Sequence, residues 1–210
     1  MSTFLENQNW RYATKKYDTA KKVSVQDLET LKESIRLSAS SYGLQPYKVV
    51  FVENPELREK LKAAAYGQTQ ITDASLLVVF ANNTDFNETH VDGFINNISQ
   101  TREIPAEKLS GYGDYMKSTL MALPAETRSI WTAKQTYIAL ANLLAAGAEL
   151  KIDVAPMEGF NPAEFNEILG LTEKGLSAAV IAAVGYRHEE DATQHLKKVR
   201  KSNADLFINL

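Results

Sequence analysis

Apolar positions along the chain recur with two periods. After Ser24, a hydroxyl residue with Asp27 at the third following position, Leu28, Leu31 and Ile35 recur at helical spacing, which predicts a helix over 25–40. Residues 48–52 (KVVFV) form a short β-branched and aromatic run. Asn54-Pro55 then supplies a cap and a first-turn proline that open a helix toward Ala65. Residues 76–81 (LLVVFA) do not alternate, the pattern of a strand covered on both faces at the centre of a sheet. Residues 86–122 are polar with weak helical periodicity and contain Pro105, Gly111 and Gly113, which predicts helices joined by mobile connections.

The stretch 129–150 is apolar almost all the way round, with Ile130, Trp131, Tyr137, Leu140 and Leu144, and so predicts a long helix buried on most sides, at a domain centre or a dimer interface. A short strand over 152–155, a helix from the Asn161-Pro162 cap to Ile168 and a buried strand over 176–186 follow. The tail 207–210 is apolar again after a polar stretch, which predicts that it pairs with something. Neither repeats nor an interdomain linker interrupt the pattern, so the 210 residues are read as one domain.

Composition narrows the chemistry. The 23 Lys and Arg against 26 Asp and Glu give a net charge of -3, without the global cationic field of a nucleic-acid binder. Cysteine is absent, which removes disulfides, thiolate metal ligands and a catalytic thiol together. No run approaches the roughly 18 apolar residues of a membrane span, and the N-terminus lacks a secretory pattern, so a cytoplasmic protein is expected. Phosphate-loop, dinucleotide, nucleophile-elbow and zinc-protease signatures are all missing. His188 and His195, seven apart beside Glu189, Glu190 and Asp191, read as a solvated turn rather than a metal site.

Three polar segments stand out. Arg11 and Lys15 lie four apart, a spacing that can bring a guanidinium fork and an ammonium to one phosphate. Residues 38–47 (SASSYGLQPY) form a hydroxyl-rich helix end with Gly43 for a tight reversal, and Lys197 to Lys201 is a basic run. Taken singly, each is an ordinary surface feature. Taken together they can converge on one anionic ligand.

Their order, with Thr72-Asp73-Ala74-Ser75 before the strand at 76, Lys134-Gln135 in the long helix, Pro156-Met157-Glu158-Gly159-Phe160, and Lys198-x-Arg200, resembles the FMN-dependent NAD(P)H nitroreductases. The branch most similar is that of the oxygen-insensitive nitroreductases and dihydropteridine reductases, and the likeness runs from Arg11 to Arg200. It implies an α+β fold with a mixed, mainly antiparallel sheet flanked by helices, in an intertwined homodimer. The C-terminal extension, about 196–210, would pack on the partner subunit. It also implies FMN as cofactor, NAD(P)H as co-substrate and a small electron-poor acceptor, a nitroaromatic or quinone, reduced in ping-pong order. A dihydropteridine or enone reductase, or a flavin-binding module without turnover, is the alternative.

By position, the resemblance assigns Arg11, Lys15, Lys198 and Arg200 to the phosphate and ribityl chain, with backbone contacts at Tyr12 and Ala13. Pro156, Met157, Glu158 and Gly159 fall at the flavin ring edge. Ser40 and Gly43 would serve the FMN of the other subunit, and Gln70 would lie at the pyrimidine edge. Tyr12 and Ala13 stand where the branch has histidine and serine, Gly43 where it has asparagine, and Gln70 where it often has lysine. No residue is assigned as acid, base or nucleophile, and none as a metal ligand. Tyr112, Tyr115 and Met116 are candidates for stacking on a planar acceptor, with plain packing the equal alternative.

Overall fold

The computed structural model describes residues 2–210. Helix α1 (Thr3–Trp10), capped by Ser2, leads through an extended segment to α2 (Val25–Arg36), where Ser24 accepts from the Asp27 N–H. Strand β1 (Tyr47–Val52) is followed by α3 (Pro55–Ala63) and the single turn α4 (Gln70–Asp73). Strand β2 (Leu76–Asn83) leads to α5 (Glu88–Arg102), α6 (Ser110–Met121) and α7 (Ala125–Glu149), a 25-residue helix about 37 Å long. Strand β3 (Asp153–Met157), α8 (Pro162–Leu169), strand β4 (Leu176–Gly185) and the turn α9 (Asn203–Leu206) complete the chain.

The sheet runs β1-β2-β4-β3 with every pairing antiparallel, an α+β arrangement. Every residue of β2 is buried, as its unbroken apolar run implies. Alternate residues divide between the two faces. Leu77, Val79 and Ala81 pack with Ile181, Leu61 and Phe165 under α3 and α8. Leu76, Val78 and Phe80 pack with Val180, Leu31 and Leu143 under α2 and α7. A bulge where Phe80 and Ala81 face Val180 and Ala178 re-aims the end of the central pair. A satellite cluster of Phe86, Val91, Met116 and Leu120 joins α5 to α6.

Two sequence expectations change. Helix α2 stops at Arg36, not Ser40, because residues 38–41 turn away to bond α7: Asn142 Nδ2 donates to Ser38 Oγ at 2.8 Å, and Ser41 N donates to Gln135 Oε1 at 2.8 Å. Helix α7 is buried along one side only in a single chain, since Ile130, Tyr137 and Ile138 are exposed.

Candidate functional site

At Trp10 the chain leaves α1, and Arg11 follows in an extended conformation, its Nε donating to Gln8 Oε1 at 2.9 Å. The next turn is built on one carboxylate. Asp191 Oδ2 accepts from Tyr12 OH at 3.1 Å, Lys15 N at 2.8 Å and Lys16 N at 3.1 Å, while its Oδ1 accepts from Thr193 N at 3.0 Å. This ties residues 12–16 to 191–193 and carries 194–200 back past Arg11. Lys198 Nζ then donates to the carbonyls of Gln8 and Arg11.

The result is a cleft of about 530 Å³ whose walls include Arg11, Tyr12, Ala13, Lys197, Lys198 and Arg200, with no carboxylate residue among its lining residues. Burial, and then the charge of Arg200, pulls the Arg11 guanidinium below its ordinary value. Burial, followed by Arg11 and Arg200, does the same to the Lys198 ammonium. Arg11 and Lys198, lowered by burial and by their cationic neighbours with no acid lining the cleft, form with Arg200 a set of charged donors matched to an anion.

Leu144 and Pro156 line this cleft and also a second one, of about 470 Å³, so the two adjoin, and together they make up a trench. The second part is walled by Leu140, Ala141, Met157 and Val180, with Tyr137 and Glu158 as its polar groups. Pro156 is tolerated within β3 because β3 is an edge strand, paired only with β4. After Met157, the last paired residue, the chain turns: Phe160 N donates to Glu158 O at 3.0 Å and Asn161 caps α8. Tyr137 OH donates to Glu158 Oε1. Burial first, then the bond to Glu158 and its charge, push the Tyr137 phenol up to about 12, so at neutral pH it remains a donor.

The trench thus gathers eight of the sequence candidates: Arg11, Tyr12, Ala13, Pro156, Met157, Glu158, Lys198 and Arg200. Gly159 lies just beyond, its carbonyl accepting from Gln68 Nε2 at 2.6 Å; a Cβ there would come within 3.3 Å of that nitrogen. Gln70, two residues past Gln68, opens α4 and is not on the trench wall. Lys15 is exposed and also off the wall, because the chain bends at residues 15–16, where the Lys15 N–H turns in to Asp191.

Ser40 and Gly43 lie on a separate loop. Ser40 Oγ accepts from Gln45 N at 2.9 Å, and Gly43 has φ +82°, with Phe94 Cζ 3.2 Å from where a Cβ would stand. Neither lines the trench of its own chain. Met116 is fully buried in the satellite cluster and cannot stack on a ligand, whereas Tyr112 and Tyr115 are exposed and Tyr115 meets Tyr42 edge-on. Sequence reasoning missed Trp10, Tyr137, Leu144, Thr193, Gln194 and Leu196 as wall residues, and Asp191 and Gln68 as the groups that fix the turns.

A family model described as the nitroreductase family matches residues 9–186. A Bacillus subtilis (strain 168) protein provisionally named an NAD(P)H nitroreductase is 38% identical over 194 residues, 87% of this chain and 88% of its own. The major NAD(P)H-flavin oxidoreductase of Aliivibrio fischeri is 34% identical over 213 residues, 98% of this chain and 96% of its own. A solved structure from Exiguobacterium sibiricum 255-15, assigned as a nitroreductase and in complex with FMN, superposes with a TM-score of 0.84. It has 16% identity, covering 100% of this chain and 98% of that one, a likeness of fold.

Proposed function

The chain belongs to the nitroreductase family and is an oxidoreductase; on that premise we propose that it binds FMN in the trench and passes reducing equivalents from NAD(P)H to an electron-poor acceptor, a nitroaromatic or a quinone. The observation that carries this reading is the trench itself, with clustered cations and no lining carboxylate at one end and an apolar wall at the other, meeting at Leu144 and Pro156. A mononucleotide flavin has the same division, a phosphate dianion at one end and a flat ring at the other. Arg11, Lys198 and Arg200 would hold the phosphate, with Lys15 added from the rim and the backbone of Tyr12 and Ala13 alongside. Pro156, Met157, Glu158 and Gly159 would border the ring, and Gln70 its pyrimidine side.

FMN held there would supply the hydride-transfer chemistry that links NAD(P)H to the acceptor, with one trench serving both substrates in turn. The protein's part is positioning. Leu140, Leu144, Met157 and Val180 keep water from one side of the trench, and Tyr137, protonated at neutral pH, holds the Glu158 carboxylate in place. No side chain of the trench is required as acid, base or nucleophile.

Ser40 and Gly43, absent from their own chain's trench, fit a second copy's site, which makes a homodimer part of this proposal. The exposed apolar residues of α7 and of the C-terminal tail favour it. Among the described residues, no helix is long and apolar enough to cross a membrane.

The direct test is to mix the protein with FMN, desalt it, record the flavin spectrum and add NADPH or NADH without oxygen. Retained flavin that bleaches is the expected result. A colourless protein after desalting would refute the cofactor assignment, and retained flavin that neither nucleotide bleaches would leave a binding module without turnover.

A further inference from the structure

Arg11 carries the phosphate end of the trench, yet it belongs to no helix or strand: it follows α1 as an extended residue. Its neighbours on either side, Trp10 and Tyr12, both line the cleft. One group packs against both rings, and Lys151 Nζ also stands 5.0 Å from the Trp10 centroid. The Arg187 guanidinium carbon lies 4.1 Å from the Trp10 ring centroid and 4.5 Å from that of Tyr12.

The guanidinium is itself immobilised. Asp153, at the start of β3 and with a side chain only 2% exposed, accepts from Arg187 N at 2.8 Å, from Nε at 3.0 and 3.1 Å, and from Nη2 at 2.6 Å. A planar fork can satisfy a carboxylate through its edge while its faces remain free for aromatic rings, which an ammonium cannot do. Arg187 also stands at a β-bridge with Tyr17, flanked by Asp18 N donating to Tyr186 O at 2.8 Å and His188 N donating to Lys16 O at 2.9 Å. The stack is therefore anchored to the sheet, and neither Arg187 nor Asp153 lines the trench.

We infer that Arg187, held by Asp153, is a positioning residue for anion binding: by clamping Trp10 and Tyr12 to the sheet it holds Arg11, between them, at the phosphate end of the trench. The inference rests on the FMN reading above. It assigns Arg187 no contact with ligand and makes its whole effect pass through Arg11. Without the clamp, the 10–12 segment would have to be ordered when the phosphate arrives, which weakens binding of that group.

The two flavins FMN and riboflavin differ by the phosphate alone, so their affinities separate this role from general loosening of the fold. Replacing Arg187 singly leaves a buried carboxylate unpaired, so the main variant is the double change Asp153→Asn with Arg187→Gln, which removes both charges. By flavin-fluorescence titration, its FMN dissociation constant is expected to rise about tenfold, with riboflavin changed by less than about twofold. Introduced beside Arg11→Ala, the same double change should cause no further loss of FMN affinity. Arg187→Lys, which keeps the charge but not the plane, should also weaken FMN selectively, and it carries the test if the double variant does not fold.

Equal loss of FMN and riboflavin, losses that multiply with Arg11→Ala, or wild-type FMN affinity in Arg187→Lys would each overturn the positioning role. A wild-type protein that binds FMN no better than riboflavin would instead overturn the phosphate assignment on which the inference rests.

Discussion

At Asp191, two opposing effects act on one carboxylate. Burial opposes its charge, while the N–H groups of Lys15, Lys16 and Thr193 favour it, and the bonds prevail: the group is held below the ordinary aspartate range. A carboxylate depressed on folding stabilises the fold above its unfolded value, about 3.9, and loses that contribution as pH falls through the lowered value. Asp191→Asn, which supplies one carbonyl for three N–H donors, should cost about 1–3 kcal/mol at neutral pH. Urea unfolding from neutral pH to below pH 4 should show the variant's stability falling less steeply with acid than that of wild type. Equal steepness would show that other groups carry the acid sensitivity. The cations Arg11, Lys198 and Arg200 were legible in the sequence because a basic residue advertises its chemistry wherever it falls. Asp191 was not, because its work depends on meeting Lys15 across 176 residues, and beside His188, Glu189 and Glu190 it looks like surface.

Helix α7 shows how one element can override its local preference. Gly147 is an interior helix position, where alanine is ordinarily favoured by about 1 kcal/mol. Here a Cβ would stand 2.5 Å from Val154 Cγ2 and 2.9 Å from the Ile152 carbonyl oxygen, because the helix lies close against the turn into β3 and the strand itself. Gly147→Ala should therefore destabilise, by about 1–3 kcal/mol as overpacking does, lowering the thermal midpoint in a calorimetric scan. An unchanged or raised midpoint would mean that the helix can move away from β3. Elements with an apolar signature, β2, β4, α7 and α8 with its Asn161-Pro162 start, were readable within a few residues. Helix α1 was not. Phe4 and Leu5 are exposed, and the helix docks through Asn7, which donates to Glu149 and accepts from Lys151, so no hydrophobic stripe marks it. The early end of α2 was hidden for a related reason: the hydroxyls of residues 38–41 suit a helix end as well as the bonds they make to α7.

Across the whole molecule, large apolar side chains are left exposed at several places, Phe4, Leu5, Leu37 and Tyr66 among them, and two groups of them lie on α7 and at the C-terminus. Ile130 and Ile138 are exposed on α7, while Leu206, Phe207 and Ile208 are 57%, 59% and 87% exposed. Complete burial of such side chains is worth about 1.5–3 kcal/mol each, an upper bound because a tail must also be ordered to achieve it. A second copy of this chain is the occupant that also gives Ser40 and Gly43 a trench to line. The full chain should therefore sediment at twice its 23.4 kDa mass at micromolar concentration. Deleting residues 203–210 should raise the dimer dissociation constant at least about tenfold while leaving the thermal unfolding of the fold core, measured at low concentration, nearly unchanged. FMN retention should then fall with dilution of the truncated protein sooner than with dilution of the full chain, because dissociation removes residues 40–43 of one subunit from the site of the other. A full chain that sediments as a monomer yet keeps its flavin would confine the site to one subunit's trench and release Ser40 and Gly43 from any part in it.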